Sequence, residues 1–164
     1  MATTLRTVLI VLLFAFIMAM QYNLDADKTA TRTIKNSIEF AVHDAGLAID
    51  KESFSEGSIV FDQNIATDNF KKSLEKNLHA TSSGGFVYKP DKDTFFQNDL
   101  YVVALDYIDD SNHTFPYEYK NEQYGVTERL NGPSIIAIMT TESPRWFRGN
   151  ATYIRQAAVY EYKK

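Results

Sequence analysis

The residues with the most chemical potential are three histidines and a few paired carboxylates. His43-Asp44 is a dipeptide that occurs in metal hydrolases, but such sites need several further His and Asp ligands. Only His79 and His113 remain, both expected in loops. A Ser-His-Asp triad would need a strained turn to present its serine, and no Gly-x-Ser-x-Gly sequence is present. Asp91/Asp93 and Asp109/Asp110 with Asn112 form acidic loops of the kind that can hold calcium. They lack the Asp-x-Asp-x-Asp-Gly spacing and are expected to be solvated turns. No glycine-rich phosphate loop follows a strand. The chain has no cysteine, which excludes disulfides, thiolate metal sites and cysteine nucleophiles. The expectation is a protein without enzymatic activity, catalytic residues, metal or cofactor.

Composition narrows the partners. The 164 residues carry a formal net charge of −4 and a pI near 5.4. No basic stripe is available to displace counterions from nucleic acid, and no polybasic patch to hold an anionic membrane. No small-molecule substrate is inferred either. Aromatics are abundant, with ten Tyr, eleven Phe and one Trp. Most of the tyrosines fall after Gly85 and suit a sheet. The one Trp, Trp146, stands with Phe147 between Arg145 and Arg148, just after Pro144. This segment is either a surface contact loop or folds down onto the core. Asn112-His113-Thr114 and Asn150-Ala151-Thr152 match the glycosylation pattern, which is too short to carry weight alone.

The elements that position these residues begin with an apolar head. Between Arg6 and Asp25 there is no charge, and Val8 to Met20 is almost wholly aliphatic and aromatic. Mean hydropathy over the whole chain is only −0.29, so the hydrophobicity is concentrated there. Three readings stand: a membrane span, a signal sequence, and a helix buried in a soluble core. Thr7 to Leu24 just reaches the ~20 residues needed to cross a hydrocarbon layer about 30 Å thick. Met18-Ala19-Met20-Gln21 is a poor cleavage site. A core helix apolar on every face would need a complete shell around it. The short positive flank and long polar remainder favour an N-in, C-out orientation.

No glycine precedes Gly46 and no proline precedes Pro90, so the helix is expected to continue from near Thr4 to about Ile49, roughly 65–70 Å. From Gln21 its pattern changes. Ala30, Ile34, Ile38, Ala41, Ala45 and Ala48 form one stripe, while Asp25, Lys28, Arg32, Lys35 and Glu39 form another. The small-residue stripe packs either on the chain's own C-terminal part or on another copy.

Asp50 to Gly57 reads as a polar turn and Ser58 to Phe61 as a short strand. Asp62 caps a second helix with Ile65, Ala66, Phe70, Leu74 and Leu78 on one face. After Ser82-Ser83-Gly84-Gly85 the pattern is β: strands at 86–88, 100–107, 134–140 and 152–162. The apolar run from Ser134 to Thr140 is expected to be central and buried on both faces. The fold expected is α+β: a long N-terminal helix packed on a small antiparallel sheet with one additional short helix. Its domains would be residues 1–50, a membrane or filament-core helix, and 51–164, a β-rich globular domain.

This plan resembles type IV pilins, and in particular pilin-like proteins of tight-adherence (Tad)-type secretion systems of Gram-positive bacteria. The resemblance is carried by the apolar head Val8–Met20, the helical stretch Thr31–Ala45, the Gly57–Asp62 segment leading to the Phe70/Leu74 helix, and the late Gly132-Pro133 strand. It implies an exported subunit that resides in the cell membrane before assembly and in an extracellular filament after it. Its partner would be itself, in a helical homopolymer. The assembly helix would use Leu5, Leu9, Leu12, Leu13, Phe16, Met20, Ala30, Ile34, Ile38, Ala41 and Ala45, with Arg145, Trp146 and Arg148 as a possible surface contact loop. Many pilins have a glutamate near the start of the apolar helix, whereas the first acidic residue here is Asp25. No basic leader ending in a small residue is visible, so the chain is read as already processed or not processed that way. The alternative is a membrane-anchored extracytoplasmic binding or sensing domain that does not assemble.

Overall fold

The computed structural model describes residues 1–163. Helix α1 runs unbroken from Ala2–Gly46 and is followed by the short α2 (Lys51–Ser55) and by α3 (Gln63–Leu78). The strands are β1 (Ala80–Ser82), β2 (Val87–Pro90), β3 (Leu100–Ile108), β4 (Tyr117–Asn121), β5 (Val126–Leu130), β6 (Ser134–Glu142) and β7 (Tyr153–Glu161). The result is the α+β layout expected from the pattern.

Each helix boundary has a local cause. Asp62 caps α3 by accepting from the backbone N–H groups of Asn64 and Ile65, both at 3.1 Å. His79 closes the same helix in the left-handed conformation. α1 stops at Gly46, three residues earlier than expected. A β-carbon at Gly46 would lie 2.2 Å from the Tyr160 ring, so the close approach of helix and β7 requires glycine there. The expected turn after Asp50 contains α2, capped by Asp50, which accepts from Ser53 N at 2.8 Å.

Five strands form one antiparallel sheet in the order β1-β2-β3-β6-β7, and β4 with β5 forms a separate hairpin inserted between β3 and β6. β3 therefore lies in the middle, and β6 is an interior strand beside it. Both faces of β6 are covered. Ile135, Ala137 and Met139 join α1 and α3 in the main core with Ile34, Ile38, Phe70 and Leu74. Ile136 faces the other way and packs with Ile108, Tyr119 and Leu130 under the hairpin. This two-sided burial explains the continuous apolar run in β6.

Ser58–Phe61 is not a strand, contrary to expectation. Among the described residues its one ladder contact is a single bridge between Ile49 and Phe61. Two of its backbone donors go instead to carboxylates: Ile59 N–H to Asp110 at 2.7 Å and Phe61 N–H to Asp109 at 3.1 Å. The main core already includes Ala30 and the buried face of α1 beyond it, so the globular body takes in the second half of the helix.

Candidate functional site

The most unusual surface is the first half of α1. Every residue from Met1 to Ile17 is exposed, and Met18 and Ala19 are the first to lose part of that exposure. Apart from Met18, the larger apolar side chains from Leu5 to Met20, including Leu9, Leu12, Leu13 and Phe16, are each 45–64% exposed. They point to all sides of the helix, so the apolar surface is a cylinder and not a face. Among the described residues, α1 is the one helix long and apolar enough to cross a membrane, by a test that signal sequences also pass.

The second half of α1 behaves differently. Ala30, Ile34, Ile38, Ala41 and Ala45 are all fully buried within the chain's own core. The expectation that these five contribute to an assembly surface is therefore corrected: α3, β6 and β7 already occupy that stripe. Small side chains at three of the five positions let those elements approach closely. Opposite, Lys35 pairs with Glu39 at 3.1 Å and also donates to the Ala157 carbonyl at 2.7 Å, tying the polar flank of the helix to β7.

The two halves meet at a polar knot. Asp27 accepts from Ser143 Oγ at 2.5 Å, from Arg145 Nη1, also at 2.5 Å, from Arg145 Nη2 at 3.3 Å and from Thr152 Oγ1 at 3.1 Å. Arg145 further donates to Thr152 Oγ1 at 2.6 Å and, through Nε, to the Asn150 carbonyl at 2.7 Å. Burial pushes the Asp27 carboxyl up. Hydrogen bonds from Arg145, Ser143 and Thr152, together with the guanidinium charge, more than offset that and hold its pKa below the ordinary carboxylate value. One turn earlier, Asn23 makes a paired contact with the backbone of Phe147, donating to its carbonyl at 3.4 Å and accepting from its N–H at 3.3 Å. The Tyr22 and Phe147 rings lie 5.8 Å apart.

This geometry divides the expected contact loop. Arg145 is not a surface contact; its side chain is only 15% exposed and acts as a strut between the loop and α1. Trp146 and Arg148 are exposed, so of the two placements left open by the sequence these side chains take the surface one. Sequence reasoning missed Asp27 and Asn23. The available signal was position: Asp27 lies three residues before Ala30 and seven before Ile34, a charge on the edge of the buried stripe that needs a partner.

The histidines are not brought together. His43 sits on α1 beside Asp44, with its ring edge-on to Tyr160 at 5.5 Å. His79 caps α3, and His113 contacts Asn112 Oδ1 at 2.6 Å beside Tyr117 in the turn after β3. Among the described residues no group of three or more His, Cys, Asp or Glu is placed to hold a metal ion. Asp109 and Asp110 are not solvated turn residues as expected. Asp109 is 1% exposed and also accepts from Ser111 N and Oγ at 3.0 and 2.6 Å. Together the two carboxylates staple the β3 end to the segment before α3. In the hairpin, burial and a hydrogen bond to Asp106 raise the Tyr119 phenol to about 12, so this pair also reads as a structural tie. Compared with known proteins, the chain matches no family model, no curated protein and no solved structure.

Proposed function

We propose that this chain is a non-enzymatic, pilin-like structural subunit. It would reside in a membrane through the first half of α1 and then bury that same surface against copies of itself in an extracellular filament. The observation that carries the reading is one continuous helix whose first part is apolar on every side and free of its own domain, while the second part is locked into that domain. A lone apolar cylinder is insoluble in water, and lipid or a bundle of identical helices would cover it equally well. Packing neighbours by a repeated, non-closing contact extends into a fibre. The rigid second half of α1 supports the reading because it fixes how each domain would sit relative to its own packing helix.

Absence of cysteine makes the test clean. Pairs of cysteines are introduced between Leu5 and Met20 in the full chain, and cells expressing it are treated with a short bis-maleimide. A regular helical array should give ladders beyond the dimer that depend strongly on the offset between the two positions. Faint dimers at every offset would indicate random collision of a monomeric anchor, in agreement with a binding or sensing domain and against this proposal.

A further inference from the structure

The loop between β6 and β7 holds a group of exposed side chains that packing through the apolar helix does not use. Trp146 is 54% exposed and Phe147 46%, and neither is a core residue. The loop is not loosely placed. Arg145 ties its start to Asp27, and Asn23 grips the Phe147 backbone from both sides. Its position along α1 is thereby fixed at Tyr22–Asn23.

That level coincides with the end of the apolar cylinder. The uncharged segment Thr7–Leu24 spans about 27 Å at ~1.5 Å per residue, close to the ~30 Å of a hydrocarbon layer. A span beginning just after Arg6 would place Tyr22 and Asn23 where hydrocarbon gives way to headgroups. Trp and Tyr side chains favour that zone because a broad apolar ring carries one polar N–H or O–H. Tyr22, 55% exposed, supplies one such ring from the helix, and Trp146 supplies another from the loop. Arg148 is exposed on the same loop and complements a lipid phosphate. Exposed Asp25 and Lys28 follow on the helix and offset one another, and Asp27 is already matched by Arg145.

We propose that the 144–150 loop seats the domain on the bilayer surface before assembly, with Trp146 and Phe147 entering the interfacial zone beside Tyr22 and Arg148 facing lipid phosphates. The anchor would then be a helix with a lateral foot. The foot would hold the domain at a fixed height and limit its tilt, so the packing surface is presented in one orientation. This rests on reading the first half of α1 as membrane-resident, and does not require that filaments form.

Trp146 is the only tryptophan, so its emission reports the loop without labelling. The full chain is reconstituted into vesicles of phosphatidylcholine and phosphatidylglycerol whose acyl chains are brominated either near the headgroup or near the methyl end. Flotation separates membrane-bound protein first. The expected result is blue-shifted emission, strong loss of intensity with the shallow bromines and a smaller loss with the deep ones. Arg148→Glu is expected to weaken the shallow quenching in these anionic vesicles. Protein that floats but shows water-like, unquenched Trp146 emission overturns the proposal and leaves the membrane-resident helix standing. Protein that fails to float overturns both. Emission unquenched in vesicles but blue-shifted in filaments assigns the loop to a subunit contact, and also overturns the lipid assignment. Quenching unchanged by Arg148→Glu removes the phosphate contact from the proposal.

Discussion

From Ala2 to Ile17 every residue of α1 is exposed, whereas from Ala26 to Gly46 one whole side of the same helix is buried in its own domain. No break in the backbone separates the two environments. What differs is the distribution of side chains around the axis. The first half places leucine, isoleucine and phenylalanine on all sides and leaves no polar face for water. The second half confines alanine and isoleucine to one stripe and puts charge on the rest. Helical continuity thus says nothing about surroundings. The circumference does, and it divides α1 into a part exposed on every side and a part packed on one side against its own domain.

Substitutions can break this division. The largest expected effect is Ile38→Ala in the buried half, which removes a fully buried side chain and should destabilise the domain by about 2–5 kcal/mol in denaturant or thermal melts in detergent. Leu12→Ala should leave that melt unchanged, since Leu12 touches no part of the domain core. Enlarging a small residue sharpens the contrast. Ala41→Leu overpacks the core and should cost about 1–3 kcal/mol. Ala15→Leu should leave domain stability alone and act only on filament yield.

The junction between the halves should respond to pH. The Asp27 carboxyl is held below its ordinary pKa in the folded state. Its contribution is therefore fully present above the unfolded value, near 3.8, and is lost as the pH falls through the lower folded value. Asp27→Ala should cost about 1–3 kcal/mol at neutral pH by leaving Arg145 half-buried without its carboxylate, and should flatten the acid limb of the stability profile. Trypsin should cut the variant more readily at Arg145 and Arg148, because the loop loses its strut. The smallest effect is expected away from the junction: Asp62→Ala removes the α3 cap and should cost about 1 kcal/mol in the same melt.

The parts of the fold legible in the sequence were those specified by neighbours along the chain. The Asp62 cap, the period of α3, the double-sided apolar run of β6 and the change of character in α1 all depend on local spacing. The β4–β5 hairpin was equally local, with Tyr117-Glu118-Tyr119-Lys120 alternating into a turn at Gly125, but its tyrosines were absorbed into a general reading of aromatics as sheet packing. Two features were out of reach for a different reason. Ser58–Phe61 has a strand-like composition, yet the donors of Ile59 and Phe61 go to side-chain carboxylates some fifty residues away and not to a neighbouring strand. The Asp27 knot joins residues more than a hundred positions apart, and no spacing rule connects them. In the candidate site, the turn after Pro144 left the exposure of Trp146 and Arg148 open, because an aromatic pair flanked by arginines suits a surface loop and a folded-down one alike. The inward role of Arg145 was not legible either, because its partner Asp27 lies more than a hundred residues away.

The most direct test of the central claim is negative-stain electron microscopy of material sheared from cells that express this chain, with mass spectrometry of the same preparation. The account predicts thin filaments in which this protein is the principal component, with the apolar segment retained in its N-terminal peptide. Protein found only in the membrane fraction, monomeric and without filaments, would contradict it.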